Sequence, residues 1–299
     1  MATLIVGLSA GAYCLQTLGE EQKTARQMVP QDQLSSDTPD RIQGRCADLT
    51  RLLKPLHGEH PLEPCLRWAK TARADIQRIK DYSCTVIKRE RVGGELLGPQ
   101  SMTVKVRHEP FSVYLRFSEP AKLEGREVIY VAGQNHDKLL AHVTGVRQRL
   151  LGTVALRPTG SLAMRDNRYP ITELGILRLV ERLIEVGQND QKDTHCEVRV
   201  SSSSLNGQSF MCIEVEHPRP QAGLKFHLAR IYVDAERNLP LRYEAYDWPT
   251  RVEQSPALIE QYTYLDLRVN RGFGDQDFDP GNPDYAFSRG SDSKTAMAR

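Results

Sequence analysis

Few side chains in the sequence are grouped in a way that could carry chemistry, and the first group is a set of metal donors. Imidazole and thiolate are ligands that zinc prefers, and His57, His60 and Cys65 bring three of them close together. No fourth donor follows at a spacing that would complete a tetrahedral site, and Pro61 and Pro64 stiffen the loop. We therefore interpret these side chains as part of a solvated loop, and we expect neither a metal ion nor a cofactor.

A second group lies near the end of the chain. Asp275, Asp277 and Asp279 are spaced as in the opening of a calcium-binding loop. The twelfth position of such a loop should be a glutamate, but here it is Ala286. The alternative is an acidic turn that closes the last strand and packs two aromatic side chains back onto the sheet, Phe278 and Tyr285.

A third group could be imagined as a nucleophile with activating charges. The hydroxyls and thiol from Tyr82 to Cys84 precede a charged run from Lys88 to Glu90. Successive side chains of a strand point to opposite faces, so these groups would not converge on one site. The sequence also contains no H-E-x-x-H, Walker or G-x-G-x-x-G motif. We therefore predict a protein that is not an enzyme.

The elements that would position these groups are best defined at residues 81–143, where the pattern indicates a sheet. Apolar and polar side chains alternate at residues 101–108 and 111–118, as they do in half-buried antiparallel strands. Gly93, Gly94, Pro110 and Gly133 suit the turns between strands. We predict a meander of about five strands here, with one apolar and one polar face.

Helices and further strands follow from the pattern of the remaining residues. Apolar periodicity predicts a helix from residue 62 to about residue 80 and another at residues 171–186, which Thr172 would cap and Gly187 would end. Further strands are predicted at residues 153–156, 195–203, 209–216, 226–234, 240–247 and 259–269.

These elements define an α+β fold. A sheet of about ten or eleven antiparallel strands cannot stay flat, because strand twist makes it curl. The apolar stripes of the helices need a partner, and the concave apolar face of the sheet supplies one. We predict a strongly curled antiparallel sheet, that is, an incomplete β-barrel, with helices packed on its concave face.

Composition divides the chain into segments. Residues 1–18 are apolar and resemble a secretory signal without its basic start, and residues 19–40 are polar like a linker. Residues 41–287 form the single predicted half-barrel domain, with N-terminal helices at residues 41–80 and the mid-chain helix at residues 171–186. Residues 288–299 lack aliphatic bulk and are predicted to be a disordered tail.

The N-terminal segment points to export. We expect a protein of the periplasm or cell envelope, attached to the membrane through its N-terminus or free of it, because Cys14 leaves lipid modification open. The segment at residues 1–18 is short for a bilayer span, so we expect no stable transmembrane span in the mature chain.

Charge and cysteine content narrow the range of partners. The formal net charge of +2 over 299 residues argues against a nucleic-acid partner. Six scattered cysteines are too few for a disulfide scaffold, and the closest pairs are Cys46 with Cys65 and Cys196 with Cys212. A two-residue turn at residues 206–207 would place Cys212 opposite Ser201, which argues against the second pair.

Two sets of side chains on the predicted sheet could bind a ligand. The apolar inner face is either filled core or an acyl-chain pocket, since such pockets are concave and mostly apolar. The predicted ligand-binding residues are Val104, Val106, Phe111, Val113, Leu115, Phe117, Tyr130 and Tyr243, and Leu241, Leu265 and Leu267 belong to the same predicted face. The second set, the basic stripe, either contacts headgroups or a partner's carboxylates, or is a solvated outer face. It consists of Arg89, Arg91, Lys105, Arg107 and Arg116.

Several segments in order carry a family resemblance, among them DYSCTVIKRER, KVRHEPFSVYLRFSEP, GREVIYVAGQN, ARIYVD and DFDPGNPDY. Over roughly residues 62–287 the chain resembles a family of uncharacterised exported proteins that is abundant in planctomycete bacteria. More remotely, the stretch from Pro110 to Asn135 resembles periplasmic lipoprotein carriers and outer-membrane lipoprotein receptors. That resemblance implies an unclosed barrel that holds acyl chains under a helical lid, and it assigns no binding residue by identity.

The leading interpretation is a non-enzymatic cell-envelope protein that binds a lipid or a lipid-modified partner in an apolar trough of the half-barrel. The alternative is a structural or protein-interaction module of the envelope that binds no small ligand. The expected partners are accordingly an acyl chain, a lipid or a lipoprotein, or another envelope protein. Empty space beneath the helices would favour the first interpretation, and a filled trough the second.

Overall fold

A computed structural model describes residues 49–142, 152–205, 208–251 and 253–287 of the chain. The helices in these residues are a helical segment at residues 49–52, α1 (Glu63–Gln77), α2 (Ser161–Met164) and α3 (Ile176–Asp190). The strands are β1 (Asp81–Val92), β2 (Glu95–Leu96), β3 (Gln100–Arg107), β4 (Ser112–Glu119), β5 (Glu127–Val131), β6 (Leu139–His142), β7 (Thr153–Leu156), β8 (Glu197–Leu205), β9 (Gln208–Glu216), β10 (Leu228–Asp234), β11 (Leu239–Tyr246) and β12 (Leu258–Val269). The predicted segments at residues 1–18, 19–40 and 288–299 lie outside the described residues, as do Cys14, Cys46 and most of the helix expected from residue 41.

The strands form one antiparallel sheet in the order β7-β6-β5-β4-β3-β1-β12-β11-β10-β9-β8, with β2 beside β1. The chain therefore builds two meanders, which β1 and β12 join through a register that runs from Tyr82 opposite Val269 to Glu90 opposite Glu260. Because β7 and β8 are the two edges, the sheet does not close. The predicted strands are all present, and the two-residue β2 brings the number to twelve.

The sheet curls strongly, as its size predicts. Leu139 of β6 and Tyr243 of β11 line the same cavity, although six strand-to-strand steps separate them in the sheet order. In a flat sheet, at about 4.8 Å per step, the two residues would be about 29 Å apart. The predicted incomplete barrel with helices on its concave face is confirmed.

α1 packs its apolar stripe against the concave face. Ala69, Ala72 and Ile76 are buried at helical spacing and belong to the main core, which lies between the helices and the sheet. Trp68 is also buried, and its indole Nε1 donates a hydrogen bond to Asn238 Oδ1 at 2.8 Å. This bond fixes α1 to the turn between β10 and β11.

α3 differs at both ends from the helix predicted at residues 171–186. Thr172 lies in a short 3-10 turn, Ile171–Glu173, and the helix begins at Ile176 after Gly175, whose φ is 118°. The Ile176 backbone N–H donates to the Tyr82 hydroxyl at 3.0 Å, so the sheet rather than a local cap satisfies the helix start.

The predicted stop at Gly187 is also wrong, because the helix continues to Asp190. Gly187 lies where α3 meets α1, and a Cβ atom at this position would be 3.0 Å from Leu66 Cδ2. The glycine therefore permits a close helix–helix contact instead of ending the helix.

β12 departs from strict alternation. Tyr264 and Leu267 are both buried in the main core, whereas Leu265 is not part of it. Asp266 between them has a φ of 53°, and the pairing of β1 with β12 shifts register at this point. The extra residue of this bulge reverses the parity of the side chains, and the prediction that Leu265 faces the trough is therefore wrong.

The C-terminal strap, residues 270–287, covers part of the convex face. The Asp81 carboxylate accepts backbone N–H groups at residues 271–273. Phe278 and Tyr285 are buried against the sheet, and the Tyr285 ring stacks on Tyr114 with 4.0 Å between the ring centres. The acidic-turn interpretation of this segment, with both aromatic side chains packed on the sheet, is confirmed.

We expect Gly175→Ala to lower the free energy of unfolding by about 1–3 kcal/mol. The substitution strains a backbone with a φ of 118°, and its Cβ atom would be 2.7 Å from the Tyr82 hydroxyl that holds the helix start. Chemical denaturation measures the loss. Gly98→Ala is the matched control, since no atom lies within 4 Å of its Cβ position, and equal stability of the two variants would contradict this role of Gly175.

Candidate functional site

The concave face is not completely filled by the helices. A cavity of about 340 Å³, the α1 cavity, lies between α1, α3 and strands β9–β12. Its lining is mostly apolar and includes Leu62, Leu66, Ala69, Leu183, Val186, Val215 and Ile231.

A second cavity of about 230 Å³, the α2 cavity, lies towards the other edge of the sheet. It extends beneath α2 and the start of α3 and is bounded by β1, β3–β7, β11 and β12. Apolar side chains again dominate its lining, among them Met102, Leu115, Phe117, Val128, Leu139, Leu156 and Leu174.

The two cavities share a boundary, which we call the polar partition. It consists of the five residues that line both cavities, Tyr169, Leu179, Arg182, Tyr243 and Glu260. The Arg182 guanidinium lies over the Tyr169 ring, 4.4 Å from its centre. Polar groups thus lie in the middle of an otherwise apolar trough.

Two glutamates lie directly opposite each other at this point of the sheet. Glu90 of β1 pairs in register with Glu260 of β12, and both are buried. Glu90 is fully engaged, because Lys88 Nζ lies 2.9 Å from its Oε2 and the Tyr262 hydroxyl donates to its Oε1. The Arg168 backbone N–H also donates to Glu90 Oε2, at 3.1 Å.

Glu260 is less completely engaged. Its Oε1 accepts a hydrogen bond from the Tyr169 hydroxyl at 3.2 Å, and its Oε2 lies 3.2 Å from Arg168 Nε. Burial raises the pKa of Glu260 above its ordinary value, and Glu90 adds to the increase, while Arg168 and Tyr169 oppose it. The surroundings therefore disfavour the charged form of this carboxylate.

The predicted ligand-binding residues divide between the cavities and the core. Leu115 and Phe117 line the α2 cavity, and Tyr243 lines both cavities. The remaining five are packed against other side chains instead: Val104, Val106 and Val113 lie in the main core, and Phe111 and Tyr130 lie in a cluster near Ile171. Some of the predicted residues therefore belong to the filled core, and others line a cavity.

The basic stripe lies on the convex face, away from both cavities. Lys105 Nζ is 2.8 Å from Asp277, and Arg107 Nη1 is 2.7 Å from Asp275, so the C-terminal strap engages both. Arg91 Nε donates to the Leu258 carbonyl at 3.1 Å. Arg89 shares the convex side of β1, and Arg116 is exposed on β4. A headgroup of a ligand in the trough would therefore meet the partition rather than the stripe.

Of the five residues of the partition, only Tyr243 is among the predicted ligand-binding residues. Glu90 and Glu260 are separated by most of the chain, and only the pairing of β1 with β12 brings them together. A usable signal was present in β12, where Glu260 shares its parity with Tyr262 and Tyr264. A glutamate on the same side as two large aromatic residues indicates a buried, functional or paired carboxylate.

The other candidate groups have structural partners. His60 accepts the Leu62 N–H at Nδ1 and lies 3.0 Å from the Asp193 carbonyl through Nε2. Burial raises the pKa of the Cys65 thiol to about 12, which makes it a poor nucleophile. Within the described ranges, no three His, Cys, Asp or Glu side chains gather as a metal ion requires.

The argument against pairing Cys196 with Cys212 is confirmed. Cys212 lies opposite Ser201 in the register of β8 and β9, as a two-residue turn predicts. Cys196 and Cys212 are accordingly not joined by a disulfide.

A buried cluster of opposite charges holds the C-terminal end of α3. His217, which follows β9, lies 2.8 Å from Asp193 through Nδ1 and 3.2 Å from Asp190 through Nε2. Burial alone would lower the pKa of His217, but the hydrogen bonds to Asp190 and Asp193 raise it above its ordinary value. Since Asp190 is the last residue of α3 and lines the α1 cavity, this cluster fixes one end of the helix that covers the trough.

The fold and site define an open half-barrel whose trough is roofed by two helices and divided by a polar partition. Residues 79–287 match the family described as "protein of unknown function (DUF1571)", and the chain belongs to this family. Membership of an uncharacterised family agrees with the resemblance noted in the sequence. The comparison with curated proteins finds no match.

Several solved structures share the general outline of the chain. Lipoprotein LppX from Mycobacterium tuberculosis is 14% identical with a TM-score of 0.41, and the alignment covers 70% of this chain and 96% of that one. A DUF1329 family protein from Desulfovibrio piger is 13% identical with a TM-score of 0.37, covering 74% and 98%. An outer-membrane lipoprotein-sorting protein domain from Vibrio parahaemolyticus is 13% identical with a TM-score of 0.35, covering 72% and 95%. At these values no function transfers to this chain.

We expect the stability of the protein to fall as the pH rises above about 6.5, the ordinary pKa of histidine. Because the pKa of His217 is higher in the folded protein than in the unfolded chain, its protonated form stabilises the fold. This stabilisation is complete below the pKa of the unfolded state and is lost as the pH rises through the pKa of the folded state. Thermal unfolding at pH 6 and pH 9 measures the effect. His217→Gln should lower the Tm at pH 6 by about 5 °C or more, and it should flatten the pH dependence. A wild-type and a variant with parallel pH profiles would contradict this assignment.

Proposed function

We propose that this protein is a non-enzymatic carrier or receptor of the cell envelope, which holds the acyl chain of a lipid or of a lipid-modified partner in its trough. The observation that carries the proposal is the pair of apolar cavities beneath α3, of about 340 Å³ and about 230 Å³. A protein whose helices served only to complete the core would pack this space.

The size of the α1 cavity and the lining of both cavities support an acyl ligand. Pockets for small molecules have volumes of roughly 300–1,000 Å³, a range that the α1 cavity reaches and the α2 cavity does not. Such pockets are lined mainly by apolar groups, with a few polar groups that fix orientation. Burying a methylene group contributes about 0.8 kcal/mol, so a chain that enters even one cavity gains substantial binding free energy. The polar partition would supply the orienting groups.

α3 is the element best placed to act as a lid. Leu179 and Arg182 of this helix line both cavities, and each end of the helix is held by a separate contact. The start depends on the Tyr82 hydroxyl, and the end depends on His217. A ligand could enter when one of these contacts opens, without disruption of the sheet.

The absence of enzymatic activity is part of the proposal. The Tyr82 hydroxyl is buried and accepts the Ile176 N–H, and burial raises the pKa of the Cys84 thiol far above its ordinary value. Neither group is therefore available as a nucleophile in the trough.

Export to the envelope is proposed on the apolar segment at residues 1–18. None of the helices in the described part of the chain combines the length and the hydropathy that crossing a bilayer needs.

The alternative is an envelope module that binds a protein partner and no lipid. It would use the exposed edges β7 and β8 or the basic stripe. The cavities favour the lipid-binding interpretation, because a module of this kind needs no space under its helices.

We expect Leu183→Trp to weaken the binding of a fluorescent C16 fatty-acyl probe by tenfold or more. Leu183 of α3 lines the α1 cavity, and the larger indole would occupy the space that the chain requires. Titration of the delipidated full chain with the probe measures the dissociation constant. Glu185→Trp introduces the same side chain at an exposed position of α3, and it should leave the affinity unchanged.

Thermal unfolding of both variants excludes misfolding as the cause of weak binding. If the wild-type protein takes up no probe, the lipid-binding proposal is wrong and the interaction module is favoured. Equal affinities of the two tryptophan variants would place the probe outside the α1 cavity.

A further inference from the structure

The polar partition carries one buried hydrogen-bonding atom that the described residues leave unsatisfied, and beside it a hydroxyl that forms no hydrogen bond with them. Glu260 Oε2 accepts no hydrogen bond, although Arg168 Nε lies 3.2 Å away as its ion-pair partner. The Arg168 Nε–H group points instead to the Tyr169 hydroxyl, at 3.3 Å. The Tyr243 hydroxyl likewise forms no hydrogen bond with a described residue.

These two residues differ in this respect from their neighbours. Glu260 Oε1 accepts from the Tyr169 hydroxyl, and both oxygens of Glu90 accept hydrogen bonds. Glu260 is only 6% exposed, and an unsatisfied buried acceptor is costly. Since Glu260 and Tyr243 line both cavities, the unused acceptor and the unused hydroxyl belong to the same boundary of the trough.

The charges around the partition disfavour a charged ligand group. Opposite charges are already paired around this boundary: Arg168 with Glu260, Lys88 with Glu90 and Arg182 with Glu173. An anion would meet repulsion from the carboxylates and a cation would meet repulsion from the lysine and arginine groups, each in a poorly solvated place. A neutral group that forms hydrogen bonds avoids both penalties.

We propose that the partition recognises the neutral polar group of an amphiphile, a hydroxyl or an amide, which both donates and accepts a hydrogen bond. Glu260 Oε2 accepts the O–H or N–H of this group, and the Tyr243 hydroxyl donates to its oxygen. The apolar chain of the amphiphile then extends into the α1 cavity or the α2 cavity. This inference rests on the proposed function and specifies its ligand class.

A matched pair of ligands tests the proposal on the delipidated full chain. Hexadecan-1-ol and its methyl ether have the same chain, but only the alcohol can donate a hydrogen bond. Each is used to displace the fluorescent acyl probe. We expect the alcohol to bind about tenfold more tightly than the ether, since a hydrogen bond to a buried carboxylate discriminates at about this level.

Two substitutions separate the roles of the two side chains. Glu260→Gln should reduce the preference for the alcohol to less than about threefold, because a neutral carbonyl is the weaker acceptor. Tyr243→Phe should weaken both ligands by a similar factor, because both keep the oxygen to which Tyr243 donates. Tyr246→Phe is the control, since Tyr246 lies on β11 like Tyr243 but lines neither cavity, and it should change neither affinity.

The variants should fold normally, which keeps the experiment decisive. Tyr243→Phe removes a hydroxyl without a protein partner, and the pKa of Glu260 is already raised by burial, so a neutral amide is tolerated in its place. Equal binding of alcohol and ether by the wild-type protein would overturn the inference, because water rather than ligand would then satisfy Glu260. Failure of either ligand to displace a bound probe would overturn it too. Failure of the probe itself to bind would instead reject the proposed function.

Discussion

The structure depends on one geometric constraint, which is that a curled sheet presents more concave apolar surface than its helices can cover. α1 and α3 have 15 residues each, so at 1.5 Å per residue each is about 22 Å long. Together they must cover a concave face that extends, in the order of the sheet, from β6 through β1 and β12 to β11. Tight packing occurs where the helices meet, as at Gly187 and Leu66. Space remains beside this contact, and the two cavities follow from the mismatch.

The buried polar groups are placed where they define the position of the helices and the boundary between the cavities. The Tyr82 hydroxyl holds the start of α3, and His217 with Asp190 and Asp193 holds its end. Buried ionic groups contribute little net stability against an apolar replacement, but removal of one partner is costly. Their contribution here is to specify one arrangement of α3 over the trough. On the convex face, Asp81 has a comparable role for the C-terminal strap.

Much of the fold could be predicted from local sequence patterns, and the reasons are physical. Alternation identified strands such as β3, because every second side chain of β3 is buried, and Thr153–Leu156 was predicted with its bounds. Alternation gave the wrong face for Leu265, because a β-bulge that no residue type in this segment indicates reverses the parity of the side chains. The start of α3 was missed because its first N–H is satisfied by Tyr82, which is distant in the sequence. The site was harder to predict, since Glu90 and Glu260 meet only through strand pairing. The residues of the basic stripe could be grouped from the sequence. Whether they lie on the concave or the convex face depends on the direction in which the sheet curls, which local patterns do not indicate.

The central claim is that the trough holds a lipid rather than only a core. Native mass spectrometry of the full chain, purified from the envelope fraction of the cells that produce it, tests this claim most directly. The account predicts a species heavier than the bare chain by the mass of a lipid, which extraction with organic solvent removes and renewed addition of lipid restores. A bare mass in every preparation, with no adduct after lipid is added, would contradict the claim.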